Sequence, residues 1–415
     1  MKPDIVAFMV RTPFTQRDYA RFGIEVIKNE GCQVCVLDLT ALLNPRYLKE
    51  CSSNEWIEFD GLIKFRSKSE FKDFLKEKNK TIFVVDVIGA EFSNLFIYKY
   101  FKEFGVLYAS FCANTVPMSS LVQKRSIFKI IKNKLPLICS RNFVNILRFL
   151  FLKETCRWLC RRFQSRGIIG APDYVLAGGR KIIPKHPLPD KHTKTIWGHT
   201  LDFDILLQQS AEFDQENYVV FIDEYAPHTP DFIISPMSKI NAEAYYGGLN
   251  KFFDWYEKKF DQKIVIAAHP RSRYDEKPQC FGARQIIKRK TAECIAKASC
   301  VFTHSSTAMN FAVYFRKPIF FLTSDGYQGT PLAEYVNSFA ASLGQTPINV
   351  DRPLDDLDLK FNFNEEVYAQ FSEDYIKTSG SPKKLFWKIV IDELNTIDQK
   401  VERTAFEDCG LAVKG

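Results

Sequence analysis

The chain has 415 residues, 46% of them hydrophobic and 26% charged, which is the balance of a folded globular protein. That length exceeds a single ordinary core and predicts two domains. Eleven cysteines in no regular framework predict reduced thiols in a cytoplasmic protein. The N-terminal pattern does not fit a secretory signal peptide, and no run of about 18 uncharged apolar residues occurs, so no membrane-spanning helix is expected.

The net charge of +8 is concentrated in one segment, residues 124–166. This segment holds twelve Lys or Arg residues and one acid, Glu154, so its local charge is +11. Phe and Trp side chains, Trp158 among them, are interleaved with the cations, which is typical of a basic amphipathic helix pair on an anionic membrane surface. A solvated cationic face over a local core is the alternative. Nucleic acid is disfavoured as a partner because no recognisable binding module surrounds the segment.

The first half of the chain alternates β-rich and helical patterns. Helices are predicted over residues 16–30 and 92–104. Strands are predicted over residues 5–10, 32–39, 81–89, 106–112 and 172–179. Cys32 and Cys35 form a C-x-x-C motif inside the second strand, where a redox motif is not expected.

The second half repeats this alternation from Tyr218 onward. A long helix rich in Tyr, Phe and Trp is predicted over 239–260, another opens at Ser305, and two more are expected near 364–377 and 383–397. Strands are predicted over residues 218–223, 263–268, 300–304 and 318–323. Continuous apolar strands between helices predict parallel sheets covered on both faces.

The sequence therefore predicts an α/β protein with two Rossmann-like domains and a ligand cleft between them, the GT-B plan. Residues 1–205 are expected to form an acceptor-side domain that includes the basic segment. Residues 206–345 are expected to form a nucleotide-sugar donor domain, and residues 346–415 to supply helices that pack back across the domains.

Two motifs at predicted strand ends indicate a phosphate site. His269 and Pro270 end one strand, with Arg271 and Arg273 just beyond, and the sequence HSST (304–307) ends the next long strand. Ser305, Ser306 and Thr307 are expected at the N-cap and first turn of a helix, where free N–H groups and the helix dipole favour an anion. Arg271, Arg273 or Lys288 could neutralise the same phosphate. An ordinary helix cap and a loop histidine are the alternatives for the separate motifs.

Carboxylates follow the predicted strand at 218–223. Asp223 and Glu224 lie at its end and Asp231 seven residues beyond Glu224, where a general base or a nucleophile for an anomeric carbon is expected. A turn cap or a solvated acid is an equal alternative for each one. Asp202 and Asp204 form a D-x-D pattern near His199, but its position before the donor-domain strands disfavours a metal site.

These strings together resemble a known family. FIDEYAPHTPDF (221–232), HPRSRY (269–274), Arg284 with Lys288, and THSSTAMNFAVYFRKPIFFL (303–322) are similar to the donor half of bacterial transferases that use CMP-activated acidic sugars. With RDYARFG (17–23) and VLDLT (36–40), the pattern resembles the retaining β-Kdo glycosyltransferases of capsule and O-antigen synthesis. The resemblance is densest over 218–323, and its H-P and Ser-Ser marks also occur in sialyltransferases.

The resemblance implies roles for individual residues. Ser305 and Ser306 would hold the CMP phosphate, with His304 and Thr307 in the same donor-binding loop, and His269 would contact that phosphate. Lys288 and Arg271 would hold the donor's carboxylate or phosphate. Asp231 is the first choice for a nucleophile in a double displacement, followed by Glu224 and Asp223. CMP carries one phosphate and is a good leaving group, so no metal or other cofactor is expected.

The expected function is transfer of Kdo, or a similar acidic sugar, from a CMP donor to a lipid-linked glycan acceptor at the inner face of the cytoplasmic membrane. A CMP-sialic-acid transferase or a nucleotide-sugar 2-epimerase or hydrolase of the same fold is the alternative. A non-enzymatic polysaccharide assembly subunit is a third reading, although such a protein has no need of the combined motifs.

Overall fold

The structure is a computed structural model that describes residues 3–50, 56–117, 141–182, 189–208, 213–229, 240–276, 278–328 and 330–396. The chain divides into two compact units. Unit 1 comprises the described residues of Met1–Thr115, Lys153–Leu207 and Lys377–Gly415, and unit 2 those of Val116–Leu152 and Gln208–Ile376. No helix within these ranges combines the length and apolarity needed to cross a membrane.

Unit 1 is built on a parallel sheet of seven strands. The strands are β1 (Ile5–Val10), β2 (Gln33–Asp38), β3 (Leu62–Lys64), β4 (Ile82–Asp86), β5 (Leu107–Cys112), β6 (Tyr174–Ala177) and β7 (Lys194–Trp197). Their spatial order is β3-β2-β1-β4-β5-β6-β7, and every pairing is parallel. Alternate residues of β1 enter two separate cores, Val6, Phe8 and Val10 on one face and Ile5, Ala7 and Met9 on the other. A strand buried on both faces explains the unbroken apolar run.

Helices connect and cover these strands. They are Gln16–Arg21, Ile24–Asn29, Thr40–Leu43, Pro45–Glu50, Lys68–Lys78, Leu95–Phe104 and Leu201–Gln208, with a 3₁₀ turn at Phe92–Asn94. A helix of 25 residues, Arg141–Ser165, precedes β6, and its residues from Lys153 onward belong to unit 1. Cys156 and Cys160 of this helix are buried in the second core of unit 1.

The helix predicted over 16–30 is two helices that break at Gly23. Gly23 has φ 56° and ψ 39°, in the left-handed region that favours glycine. A Cβ at this position would overlap the indole of Trp387. The backbone at the break passes close to the indole of Trp387, and only glycine leaves room for this approach.

The final described helix, residues 386–396, closes unit 1. Phe386, Trp387, Val390 and Leu394 are buried in the first core beside Phe8 and Phe111. The indole N–H of Trp387 donates to the carbonyl oxygen of Arg21 at 3.2 Å. The chain leaves unit 1 at Leu207, re-enters it at Lys377 and then completes its core with this helix.

Unit 2 contains a second parallel sheet, of six strands. They are β8 (Tyr218–Ile222), β9 (Lys263–Ala268), β10 (Ile286–Lys288), β11 (Cys300–Thr303), β12 (Ile319–Thr323) and β13 (Ile348–Asn349). Their order is β10-β9-β8-β11-β12-β13, so the order reverses between β8 and β11, as in the Rossmann fold. The predicted α/β fold with two Rossmann-like domains is confirmed by these two sheets.

Five α-helices lie in the part of unit 2 that the structure describes from Phe213 onward. They are Ala242–Phe260, Thr291–Lys297, Met309–Tyr314, Pro331–Ser342 and Glu365–Phe371. A single π-helical turn, Ser372–Ile376, follows the last of them. The first helix buries Tyr245, Tyr246, Leu249, Phe252, Phe253 and Tyr256, which explains its aromatic sequence.

Candidate functional site

The candidate site lies in unit 2 at the carboxyl ends of β8, β9 and β11. Because β8 pairs with β9 on one side and with β11 on the other, the loops after these three strands are neighbours. The order of the sheet reverses at this point, and open parallel sheets bind ligands in the crevice formed there. Asp223 and Glu224 follow β8, His269 follows β9 and His304 follows β11.

Asp223 is a buried carboxylate with three donors. One oxygen, Oδ1, accepts from the backbone N–H of Tyr225 at 3.0 Å. The other, Oδ2, accepts from the Tyr274 hydroxyl at 3.0 Å and from the His269 backbone N–H at 3.3 Å. Burial raises the pKa of this carboxyl to about 6, although the three donors lower it. With 2% of its surface exposed, Asp223 ties the loop after β8 to the loop after β9.

His269 opens a tight turn. Its carbonyl oxygen accepts from the Ser272 N–H at 2.9 Å, and Pro270 occupies the second position, where its fixed φ suits a β-turn. The ring Nδ1 accepts from the Arg271 backbone N–H at 3.1 Å. A neutral imidazole that accepts at Nδ1 carries its proton on Nε2, so the turn selects the tautomer that can donate from Nε2.

Glu224 and Ser305 join the loops on the two sides of the reversal point. The Ser305 backbone N–H donates to Oε1 of Glu224 at 2.6 Å, and the Ser305 hydroxyl donates to Oε2 at 3.3 Å. Burial raises the pKa of the Glu224 carboxyl to about 7, the neighbouring Asp223 adds to the rise, and the Ser305 donors oppose it. Ser305 therefore already donates to a carboxyl group through both its backbone and its side chain.

The helix after β11 begins later than the sequence predicted, at Met309 and not at Ser305. Residues 306–311 first form successive i to i+3 turns, from Ser306 to Met309 and from Thr307 to Asn310. The Ser306 hydroxyl accepts from the Ala308 N–H at 3.3 Å, and the Thr307 side chain is exposed. The Ser-Ser-Thr sequence is thus a loop with its own hydrogen bonds, because hydroxyl groups compete with helical bonding.

His304, which precedes this loop, is buried and bonded to two other elements. Its Nδ1 lies 2.7 Å from the carbonyl oxygen of Leu322, and its Nε2 lies 3.1 Å from the hydroxyl of Tyr245. Only 1% of the residue is exposed, and burial lowers the pKa of the imidazole to about 4. A neutral ring with both nitrogens engaged inside the protein holds β11, β12 and the helix Ala242–Phe260 together, in contrast to the expected contact with the donor.

The cations of the site differ in placement. Lys288 ends β10, and its Nζ donates to the carbonyl oxygen of Ser272 at 2.7 Å. A small pocket of about 150 Å³ lies beside it, lined by Ala268, Ser272, Tyr274, Asp275, Ile286 and Lys288. Arg273 is exposed, with its Nε 4.0 Å from Glu276, and Arg271 is partly buried at the turn. Lys288 thus lines this pocket.

Several predicted residues fall elsewhere. Asp231 lies outside the described residues, as does 124–140 of the basic segment. Asp204 accepts from the Phe386 backbone N–H at 2.8 Å, and His199 Nε2 lies 2.8 Å from the carbonyl oxygen of Lys384. These residues of the D-x-D region hold the helix 386–396 to unit 1. Cys35 lies in β2, where burial raises the pKa of its thiol.

Tyrosines of the site were missed at the level of the sequence. The hydroxyls of Tyr246 and Tyr274 lie 3.2 Å apart, and Tyr274 also donates to Asp223. Tyr245 packs against His304 and Tyr327. The aromatic composition of 239–260 indicated a buried face but not which hydroxyls would meet the carboxylate. In the part of the chain that the structure describes, no cluster of three or more His, Cys, Asp or Glu residues is placed to hold a metal ion.

No protein-family model matches the chain, and neither does any curated protein. Similar solved structures include MurG of Acinetobacter baumannii, with 12% identity, coverage of 95% of this chain and 100% of that chain, and a TM-score of 0.43. A variant of the wall teichoic acid polymerase TagF shows 11% identity, coverage of 97% and 91%, and a TM-score of 0.47. The UDP-GlcNAc 2-epimerase of Methanocaldococcus jannaschii shows 12% identity, coverage of 88% and 98%, and a TM-score of 0.42. These likenesses are distant, and they bring no substrate, activity or residue role to this chain.

Proposed function

We propose that the protein is a glycosyltransferase that moves an acidic sugar, Kdo, from a CMP donor to a glycan acceptor in O-antigen or capsule synthesis. The single observation that carries the proposal is the contact between Ser305 and the Glu224 carboxylate at the reversal point of the unit 2 sheet. Paired backbone and hydroxyl donors at this position suit a phosphate. The resemblance of the surrounding strings to β-Kdo transferases supplies the choice of donor.

The donor phosphate and Glu224 would compete for the same Ser305 N–H. Both present oxygen acceptors, and the N–H can bond strongly to only one of them at a time. Donor binding would therefore release the Glu224 carboxylate, while Ser306 and Thr307 add hydroxyl donors. His269 would donate to the phosphate from Nε2, the tautomer that its turn selects. Lys288 and Arg271 are assigned to the carboxylate of the sugar.

Each of the three carboxylates would have a different role. Asp231 would attack the anomeric carbon, forming an ester with the sugar as the bond to CMP breaks. The acceptor hydroxyl would then attack the same carbon and release Asp231, with its proton passing to Glu224. A pKa of about 7 suits such a proton acceptor at neutral pH. Asp223 is buried among three donors, so we assign it to holding the loops.

The remaining features of the proposal concern partners. CMP carries a single phosphate, so this reaction is proposed to proceed without a metal ion. The acceptor is proposed to be lipid-linked, which would bring the enzyme to the cytoplasmic face of a membrane.

The experiment has two readouts on the full chain. Calorimetric titration should show binding of CMP in preference to UMP, and Ser306→Ala should weaken it by about 1 to 3 kcal/mol, the value of a hydrogen bond to a charged group. Ser342→Ala, a serine at the end of a distant helix, is the control. Intact-mass spectrometry with CMP-Kdo and no acceptor should show one added Kdo, mapping to Asp231.

Different failures have different meanings. Equal binding of UMP and CMP would refute the CMP donor, and unchanged affinity in the double variant Ser305→Ala/Ser306→Ala would remove this loop from the phosphate site. An adduct on Glu224 would keep the mechanism and reassign the nucleophile. No adduct with an inverted product would refute double displacement. Release of free sugar or its epimer in place of transfer would favour a hydrolase or epimerase.

A further inference from the structure

The helix Arg141–Ser165 shows two different faces over its described side chains. Cys156 and Cys160 are 4% and 0% exposed and pack with Phe163 against a core of unit 1. Their spacing of four residues places them on one side of the helix. That side holds the helix on the sheet of unit 1, so the opposite side faces outward.

The outward face combines one large aromatic side chain with cations. Trp158 is 56% exposed, and the guanidinium of Arg162, four residues on, lies over its ring at 5.6 Å. Arg161 and Arg166 are also exposed. Ile168 is 39% exposed just after the helix, where Gly167 turns the chain with φ 68°. Exposed apolar groups beside a cluster of arginines make this surface amphipathic.

The charge of this surface is unbalanced. From residue 154 to 168 the chain carries four arginines and one acid, Glu154. Arginine binds phosphate groups through paired N–H donors, and an indole ring is favoured at the boundary between headgroups and acyl chains. This surface thus has arginines that can bind headgroup phosphates and an indole that can lie at the boundary with the acyl chains.

We infer that Trp158, Arg161, Arg162, Arg166 and Ile168 form a docking surface for anionic phospholipid membranes. The arginines contact headgroup phosphates, and Trp158 and Ile168 enter the interfacial layer. Charge complementarity selects this occupant, and the apolar pair explains why a purely electrostatic partner is a poorer fit. The inference is independent of the reaction proposed for unit 2, since it needs no substrate.

The test is co-sedimentation of the full chain with phosphatidylglycerol-containing vesicles and with phosphatidylcholine vesicles. Binding should require the anionic lipid and fall steeply with added salt. The triple variant Arg161→Glu/Arg162→Glu/Arg166→Glu should bind at least about a hundredfold more weakly, and Trp158→Ala about tenfold more weakly.

Matched controls separate this surface from the overall charge. Lys49→Glu/Lys76→Glu/Lys80→Glu makes the same charge change at exposed sites of unit 1, and Phe361→Ala removes an aromatic side chain that is 42% exposed. Both controls should bind vesicles as the wild type does. A triple variant with glutamine at the three arginines, checked for an unchanged urea midpoint, guards against misfolding caused by the added acids.

Absence of vesicle binding at low salt would overturn the inference. Equal loss in the lysine control would also overturn it, since the effect would then be one of net charge. Retention of vesicle binding in the arginine variants, with loss of binding to single-stranded RNA, would replace the membrane by nucleic acid.

Discussion

Asp223 and Glu224 are adjacent in the chain and contact different loops. Asp223 continues the inward direction of β8 and is enclosed by Tyr225, His269 and Tyr274. Glu224 reaches across to the loop after β11. Burial raises the pKa of both carboxyls, to about 6 and about 7. Ionisation of either group therefore costs more free energy in the folded protein than in the unfolded chain. Stability should therefore depend on pH through this pair.

Glu224→Gln should flatten the pH dependence of the free energy of unfolding. Between the ordinary pKa of 4.5 and the folded value of about 7, folded Glu224 retains a proton that the unfolded chain has lost. Its contribution is thus full below pH 4.5 and is lost as pH rises through 7. The loss is at most about 3 kcal/mol, and solvent screening reduces it. The amide keeps an acceptor for Ser305 and cannot ionise.

Urea denaturation of wild type and variant between about pH 5 and about pH 8 checks this prediction. Glu243→Gln, at an exposed helix start, is the control and should leave the profile unchanged. The difference between proteins is the useful quantity, because buried His304 acts in the opposite direction: its pKa of about 4 makes stability fall as pH drops below 6.5. A variant that keeps the full slope would contradict the assigned pKa.

At this scale the sequence indicated where residues lie relative to the strands, but not which groups they contact. His269 and Ser305 could be predicted to follow strands, because a run of apolar residues followed by polar ones has a local cause. Their strands, β9 and β11, lie on either side of β8. The three donors to Asp223 come from positions 225, 269 and 274, and the acceptor for His304 from position 322. Such contacts depend on sheet order, which no local pattern encodes.

At the scale of elements, Gly23 decides whether residues 16–30 form one helix or two. Gly23→Ala should cost about 2 to 4 kcal/mol of unfolding free energy, since alanine is strained at φ 56° and its Cβ would overlap Trp387. Gly105→Ala is the matched control: Gly105 has φ 64°, and nothing lies within 4 Å of the added Cβ. It should cost only about 1 kcal/mol.

Chemical denaturation of both variants separates the two causes. A similar loss in each would mean that backbone strain alone matters and that Trp387 adapts. A larger loss in Gly23→Ala would attribute the excess to the close approach. The sequence did not predict the helix break because the apolar spacing of 16–30 continues through position 23. The side chain that requires glycine there, Trp387, lies over 360 residues away in the sequence.

Strand prediction succeeded in the centre of each sheet and failed at the edges. The central strands β1, β4, β5, β8, β9, β11 and β12 have four to six residues, nearly all buried, so their apolar runs are distinctive. The strands that were missed, β3, β7, β10 and β13, are the four edge strands and have two to four residues. Short, half-exposed edges are common because they limit unwanted pairing, and they leave little pattern in a sequence.

At the scale of the whole molecule, unit 1 is assembled from separated stretches of chain. Residues 3–115 and 153–207 supply its sheet, and the helix 386–396 supplies part of its core. Asp204 and His199 hold the start of that helix through the Phe386 N–H and the Lys384 carbonyl. The sequence indicated a terminal helix, but which core it completes depends on contacts separated by about 180 residues.

Trp387→Ala tests how far unit 1 depends on this returning helix. Trp387 is 1% exposed, packs edge-on to Phe8 at 4.8 Å and stacks near Phe111 at 6.2 Å between ring centroids. Its removal should cost about 3 to 5 kcal/mol. Hydrogen exchange read peptide by peptide should accelerate in β1 and β5, which contribute Phe8 and Phe111.

Phe371→Ala provides the reciprocal control, because Phe371 is buried in unit 2 with 2% of its surface exposed. This variant should accelerate exchange around the helix Glu365–Phe371. Unchanged exchange in β1 and β5 of Trp387→Ala would show that the sheet of unit 1 stands without the helix 386–396, and the indole would then serve only to close its surface.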